Sequence, residues 1–240
     1  GVAIVTEKLH GTSGRTGIVQ VEQDLHWLAK AINRLSFINI KPKKKWTAVS
    51  GTRNRLVKPD ELFRVEIHDE IVKRLFPGEV WYYEIVGYEH SGRPIMPPHG
   101  KVTYAYGCDP DGATPSADML LRPPRFHAYV YRITYNGEDL PWKEICYRVG
   151  KSKFVKTVPV DHIHEETLNS GRLREICEDL ASIKSSLNNP IREGVCVRVE
   201  TTVDDVTKVH RTMKHKSNRF CELEGIQKND PKFVDTEEVS

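Results

Sequence analysis

Three stretches of the chain repeat their apolar residues every three or four positions, the period that collects them on one helix face. From Val21 to Leu35 that face holds Leu25, Leu28, Ala29, Ile32 and Leu35. A second helix is expected to start at Pro59-Asp60, carry Leu62, Val65, Ile67, Ile71, Val72 and Leu75, and stop at Pro77-Gly78. A third runs from about His164 to Leu187 and ends in Asn188-Asn189-Pro190. Aromatic and β-branched residues dominate Val80 to Val86, His127 to Tyr135 and Val195 to Thr202, which read as strands. Gly107 to Pro124 is rich in Gly, Pro, Asp and Ser and reads as a long surface loop. No internal repeat or interdomain linker stands out. The mixture predicts an α+β domain of largely antiparallel sheets flanked by helices, not a regular βαβ alternation.

Composition changes this picture little. At 240 residues, 38% hydrophobic and 29% charged, the chain is ordinary for a globular protein and can bury a substantial core. No apolar run approaches the roughly 20 residues that span a bilayer, and no secretory pattern opens the sequence. An intracellular protein, cytoplasmic or nuclear, is therefore expected. The five cysteines include no CxxC pair and are expected to be reduced thiols.

Net charge is only +3, but it is unevenly spread. Lys41 to Lys58 holds seven Lys or Arg and no acid, whereas Glu222 to Ser240 holds six acids and two lysines. Within the basic block, Lys43-Lys44-Lys45-Trp46 could attract a polyanion or form a solvated loop. His162 and His164 have two-ligand spacing without an evident third ligand. Asp109-Pro110-Asp111-Gly112 lacks the glycine and glutamate positions of a calcium loop and reads as a turn.

Candidate chemistry begins at "TEKLHGTSGR", residues 6 to 15. A lysine amine attacks only when unprotonated, and nearby cations disfavour its charged form. The C-terminal third supplies cations and a carboxylate. "EGVCVRVE" starts at Glu193, and "HRTMKHKSNRF" carries Arg211, Lys214 and Lys216. On a strand the two lysines share a face, which suits gripping a phosphate. Glu84 sits in the otherwise apolar "WYYEIVG", where a carboxylate is at the surface, paired or functional.

In this order the segments resemble the covalent nucleotidyltransferase superfamily of ATP-dependent DNA and RNA ligases and mRNA capping enzymes. "EKLHGTS" looks like the nucleotidyl-lysine motif, and "SGTRN" like the next. "YEIVG" and "YVYRITYNGEDL" are similar to the third motif and to the strand carrying a base-stacking aromatic. "EGVCVRVE" and "KHKSNRF" resemble the last two. Histidine at position 10, where DNA ligases and capping enzymes usually have aspartate, is similar to the phage-type and kinetoplastid-editing RNA ligases.

This resemblance implies an adenylyltransferase fold with ATP in a central groove. It also implies sealing of 5′-phosphate and 3′-hydroxyl RNA ends, which a nicked duplex could present, through lysyl-AMP on Lys8. By the same resemblance, Lys214 and Lys216 bind the α-phosphate and lower the pKa of Lys8. Glu193, and with it Glu84, would hold Mg²⁺ or Mn²⁺. Glu84 could instead meet the ribose. Glu7 would accept from the adenine amino group, Tyr131 would stack on the base, and Arg53 would reach phosphate or sugar. Arg211 would lie near pyrophosphate or RNA. His10 would contact the nucleotide or reacting strand, or merely hold its turn.

Residues 1–240 then read as a single adenylation domain, a catalytic-domain fragment with a short acidic C-terminal tail. Such a fragment would be expected to seal pre-adenylated ends better than it starts from ATP. The chain departs from the pattern at Ser13, where relatives usually have asparagine, and at Arg132, where aspartate is common. A DNA ligase, a capping-type guanylyltransferase and a non-catalytic RNA-binding relative remain open at this point.

Overall fold

In the computed structural model, residues 1–35, 40–53, 55–56, 61–113, 122–152, 154–164 and 170–225 are described. The chain order is β1 (Val2–Lys8), β2 (Thr12–Glu22), α1 (Trp27–Leu35), β3 (Lys44–Gly51), α2 (Leu62–Val72) and β4 (Glu79–Gly87). There follow β5 (Phe126–Tyr135), β6 (Glu138–Asp139), α3 (Trp142–Val149), β7 (Val155–Thr157), β8 (Val160–His164), α4 (Ser170–Ser182), β9 (Gly194–Val203), β10 (Val206–Lys216) and α5 (Asn218–Leu223).

The strands form two sheets. One has the order β10-β9-β1-β8; the other has β3-β2-β4-β5-β6, with β7 beside β5. Every pairing is antiparallel except β5 with β7. The expected α+β class and mainly antiparallel sheets are what the chain adopts.

Each sheet buries one face under a helix. Trp81, Tyr83 and Ile85 alternate along β4 and join Phe63, Ile67 and Ile71 of α2 in the larger core. In the other sheet Ala3, Val5, Val195 and Val197 join Cys177 of α4, with Leu173 and Leu180 packed alongside. The helix α3 ties the sheets together. Its first backbone N–H, on Trp142, donates to Glu200 Oε1 of β9 at 2.7 Å, satisfying an orphan donor of the first turn.

Several elements differ from the pattern-based expectation. Val21 lies on β2, opposite Lys45, because the alternation of β2 continues to Glu22; the first helix therefore starts at Trp27. His164 closes β8, pairing with Ala3, so the third helix begins only at Ser170. The basic block is an edge strand from Lys44 onward, with Lys44, Lys45 and Trp46 exposed. Strands β1 and β2 and the eight-residue α3 were not evident from hydropathy. Asp109 does sit in a turn, its carboxylate accepting from Asp111 N–H at 3.0 Å. The acidic tail from residue 226 and the loop at 114–121 lie outside the described residues.

One buried group predicts an acid sensitivity. His127 is 5% exposed, and neither ring nitrogen has a partner among the described residues. Desolvation, then the cation of Lys156, depresses its pKa to about 3. An unfolded chain takes up this proton below about pH 6.5, while the folded one refuses it until about pH 3. Stability should therefore fall as pH drops through that window. Urea melts at stepped pH should show His127→Leu losing less stability on acidification than the parent.

Candidate active site

Three adjacent strands assemble the site. Across β1 and β9, Lys8 pairs with Gly194 and Thr6 with Cys196. Across β9 and β10, Gly194 pairs with Lys216 and Cys196 with Lys214. Directly opposed residues share a sheet face, so Lys8, Lys214 and Lys216 project from one face in two neighbouring rows. Gly194 is required between them. A Cβ there would overlap the carbonyl oxygen of His215 and lie 2.8 Å from Lys216 Cα. Gly194→Ala should push β10 away at Lys216, slowing any reaction at Lys8 at least about tenfold and lowering the melting temperature.

Lys8 is 8% exposed and its ammonium is bonded to Glu193 Oε1. The other oxygen, Oε2, lies 3.8 Å from His10 Nδ1 and has no hydrogen-bond partner among the described residues. A buried carboxylate oxygen left so costs free energy unless something else satisfies it. This donor set fits a hard divalent ion. Among the described residues no three or more His, Cys, Asp or Glu gather as a metal cage. An ion at Glu193 would therefore share its shell with phosphate and water, as Mg²⁺ prefers.

His10 is held on three sides. Its backbone N–H donates to Tyr106 Oη at 2.7 Å, and its ring meets Tyr104 and Phe220 edge-on, with centroids 4.5 and 5.0 Å away. Phe220 arrives there because Ser217 caps α5. The Ser217 hydroxyl accepts from Phe220 N–H at 3.1 Å and donates to Arg192 carbonyl at 2.7 Å. Ser217→Ala should cost about 1 kcal/mol, read as a lower denaturant midpoint.

The second sheet supplies the facing wall. Glu84 accepts from Gly11 N–H at 3.1 Å and pairs across β2 with Ser13. Thr12 and Ser13 are thus strand residues, and Arg64 of α2 donates to Thr12 Oγ1 at 2.7 Å. Tyr131 is the extra residue of a bulge on β5, since Tyr82 pairs with Arg132 but Tyr83 with Val130. It is 39% exposed. Partial desolvation and then the Glu84 carboxylate push its phenol above the ordinary range, with Cys196 of the other sheet also acting on it.

Three expected residues sit apart from this face. Glu7 pairs with Val195, in the row that packs on α4, opposite to Lys8. Its Oε2 accepts from Ser186 N–H at 2.9 Å and Ser186 Oγ at 2.7 Å, while Oε1 is buried without a partner among the described residues. Arg211 pairs with Val199 and so shares the row of Met213 and His215, not that of the lysines. Its side chain lies outside the described residues, as does Asn54. Arg53 follows the edge strand β3, and its carbonyl accepts from Arg15. His162 and His164 stack on β8 with ring centroids 3.9 Å apart.

A buried ionic network under the site has no counterpart in the sequence-based list. Arg192 is bonded to Asp161, donates to the Leu180 carbonyl at 3.1 Å and lies 3.6 Å from Glu7 Oε2. Asp161 reaches it from a bulge, because Val5 pairs with His162 but Thr6 with Val160. The network anchors the residues immediately before Lys8 and Glu193.

One sheet face thus gathers a buried lysine–carboxylate pair and two further lysines. A family model described as RNA ligase matches residues 1–216, and the chain belongs to that family. No protein of curated function matches the sequence. Among solved structures, the fold is similar to mutants of a Naegleria gruberi RNA ligase. One, with ATP and Mn, has a TM-score of 0.54 and 15% identity. Another, with AMP and Mn, has a TM-score of 0.53 and 14% identity. Each alignment covers 94% of this chain and 52% of the other, so the chain spans about half the length of those ligases. Among the described residues no helix is long and apolar enough to cross a membrane.

Proposed function

We propose that the chain is the adenylation domain of an ATP-dependent RNA ligase joining 5′-phosphate and 3′-hydroxyl RNA ends. The observation that carries this reading is the row Lys8–Gly194–Lys216, with Lys214 one row away and Lys8 bonded to Glu193. The family match supports it, as do the ATP, AMP and Mn named with the similar Naegleria structures.

In the first step Lys8 Nζ attacks the α-phosphorus of ATP. A P–N bond forms, the bond to the bridging oxygen breaks, and pyrophosphate leaves. Next, an oxygen of the RNA 5′-phosphate attacks the adenylyl phosphorus and releases the lysine. Finally the 3′-hydroxyl attacks the activated 5′-phosphate and AMP departs. Glu193 holds the Lys8 amine until nucleotide arrives. Lys214 and Lys216 oppose a third positive charge beside them and neutralise charge on the transferring phosphate. A divalent ion held by Glu193, and by Glu84 where that carboxylate does not meet the ribose, would supply further charge neutralisation on the phosphates.

Tyr131 forms the stacking face for the base. Glu84 meets the ribose, and Arg53 phosphate or sugar. Arg211 lies near the leaving pyrophosphate or the RNA. Glu7 Oε1 is the acceptor assigned to the adenine amino group, and reaching it requires the Ser186 segment to yield. His10 positions the loop between Lys8 and β2 and lies beside the reacting groups.

Incubation with α-labelled ATP and Mg²⁺ tests the proposal. A label that survives denaturation and chases onto 5′-phosphorylated RNA is expected. Labelling from GTP instead would point to capping chemistry. Sealing of a DNA 3′-hydroxyl in preference to RNA would point to a DNA ligase.

A further inference from the structure

The groove wall formed by the second sheet carries a charged ladder that the nucleotide chemistry leaves unused. Arg15 of β2 pairs with Tyr82 of β4, and Tyr82 pairs with Arg132 of β5, in one cross-strand row. That row is two residues along each of β2 and β4 from the pair Ser13–Glu84, and therefore lies on the same sheet face. Both guanidinium groups sit over the Tyr82 ring, Arg15 at 5.3 Å and Arg132 at 4.9 Å from its centroid. The contacts orient both cations and leave the ring poorly placed to stack a base. Asp139 fixes the Arg132 fork, accepting at 2.6 and 3.3 Å. Even so, the Arg132 side chain remains 42% exposed. On the same face, Lys45 is exposed farther out on the edge strand, in register with Val21.

Arg132 gives Nε and Nη2 to Asp139 and Arg15 gives Nη2 to the Arg53 carbonyl, which leaves the Nη1 donors of two preset guanidinium groups for a phosphate oxygen. A purely structural ladder would gain little from them, since exposed cation–π contacts are weak. We infer that the Arg15–Tyr82–Arg132 row is a phosphodiester-binding track that guides a single RNA strand past Glu84 toward Lys8. The inference rests on the ligase reading for its partner.

Fluorescence anisotropy with a 5′-phosphorylated single-stranded RNA, repeated over a sodium chloride series, tests the track. Each arginine that contacts a phosphate should contribute about 0.7 to the slope of log affinity against log salt. Arg132→Gln should lower that slope by about 0.7, and Arg15→Gln should do the same. Tyr82→Leu should weaken RNA binding while leaving most of the slope. Arg132→Gln should keep lysyl-AMP formation from ATP within about twofold, because a track acts on the strand and not on the nucleotide. Unchanged slopes in both single variants would overturn the inference. So would RNA binding that falls in Arg132→Gln only in step with adenylylation or thermal stability. Absence of label on the parent protein would sink the ligase reading instead, and the salt slope would still decide whether the row binds phosphodiesters.

Discussion

Lys8→Ala should lose covalent labelling by α-labelled ATP altogether, a fall of at least about 10⁴-fold, as expected when a nucleophile is removed. Lys8 is bonded to Glu193, and Lys214 and Lys216 both lie on β10, two strands away from β1. The same variant should still join RNA that already carries a 5′-adenylate. That step needs the phosphate-binding cations and Glu193 but forms no bond to the lysine. Glu193→Gln should behave differently and lose both reactions, because its carboxylate serves every phosphoryl step. A gel assay with the two substrates separates the outcomes. Label retained in Lys8→Ala, or pre-adenylated RNA sealed normally by Glu193→Gln, would show that the amine–carboxylate pair is a structural ion pair.

The elements with strong periodicity were legible in advance. Trp81, Tyr83 and Ile85 alternate cleanly because β4 buries one face, and Phe63, Ile67 and Ile71 recur at helical spacing because α2 covers it. Boundaries failed where short-range pattern and pairing disagreed. His164 and Val21 belong to strands because neighbouring strands complete their hydrogen bonds, which hydropathy does not report. Within the site, the order of motifs pointed to Lys8, Glu193, Lys214 and Lys216, which meet across β1, β9 and β10. Strand alternation alone separates Glu7 from Lys8 and Arg211 from the two later lysines. The Arg192–Asp161 pair was not legible, because it depends on a bulge in β8 that carries Asp161 under the sheet. A sequence signal did exist for Ser217: a hydroxyl residue directly before a short helix that bears Phe220.

Removing Lys216 should have the next largest effect. Lys8 and Lys216 flank Gly194 in one row, so two strand spacings, about 10 Å, separate their backbones. Two long side chains can converge on a phosphate across that distance, because the strand between them presents only Gly194 in this row. The transferring phosphorus gains negative charge on its oxygens as pyrophosphate leaves, and a fixed ammonium there acts most strongly in the transition state. Lys216→Ala should therefore slow adenylylation by about 10²–10³-fold at saturating ATP, with a smaller change in the ATP concentration needed. Lys216→Arg should recover part of the rate, since the charge returns but the planar fork replaces a compact ammonium. Lys214, one row away and more exposed, should give the same pattern with a smaller loss. Single-turnover labelling across ATP concentrations distinguishes these cases. If both alanine variants reached the parent rate at high ATP, the lysines would be binding the ground state alone, and β10 would not be stabilising the transfer.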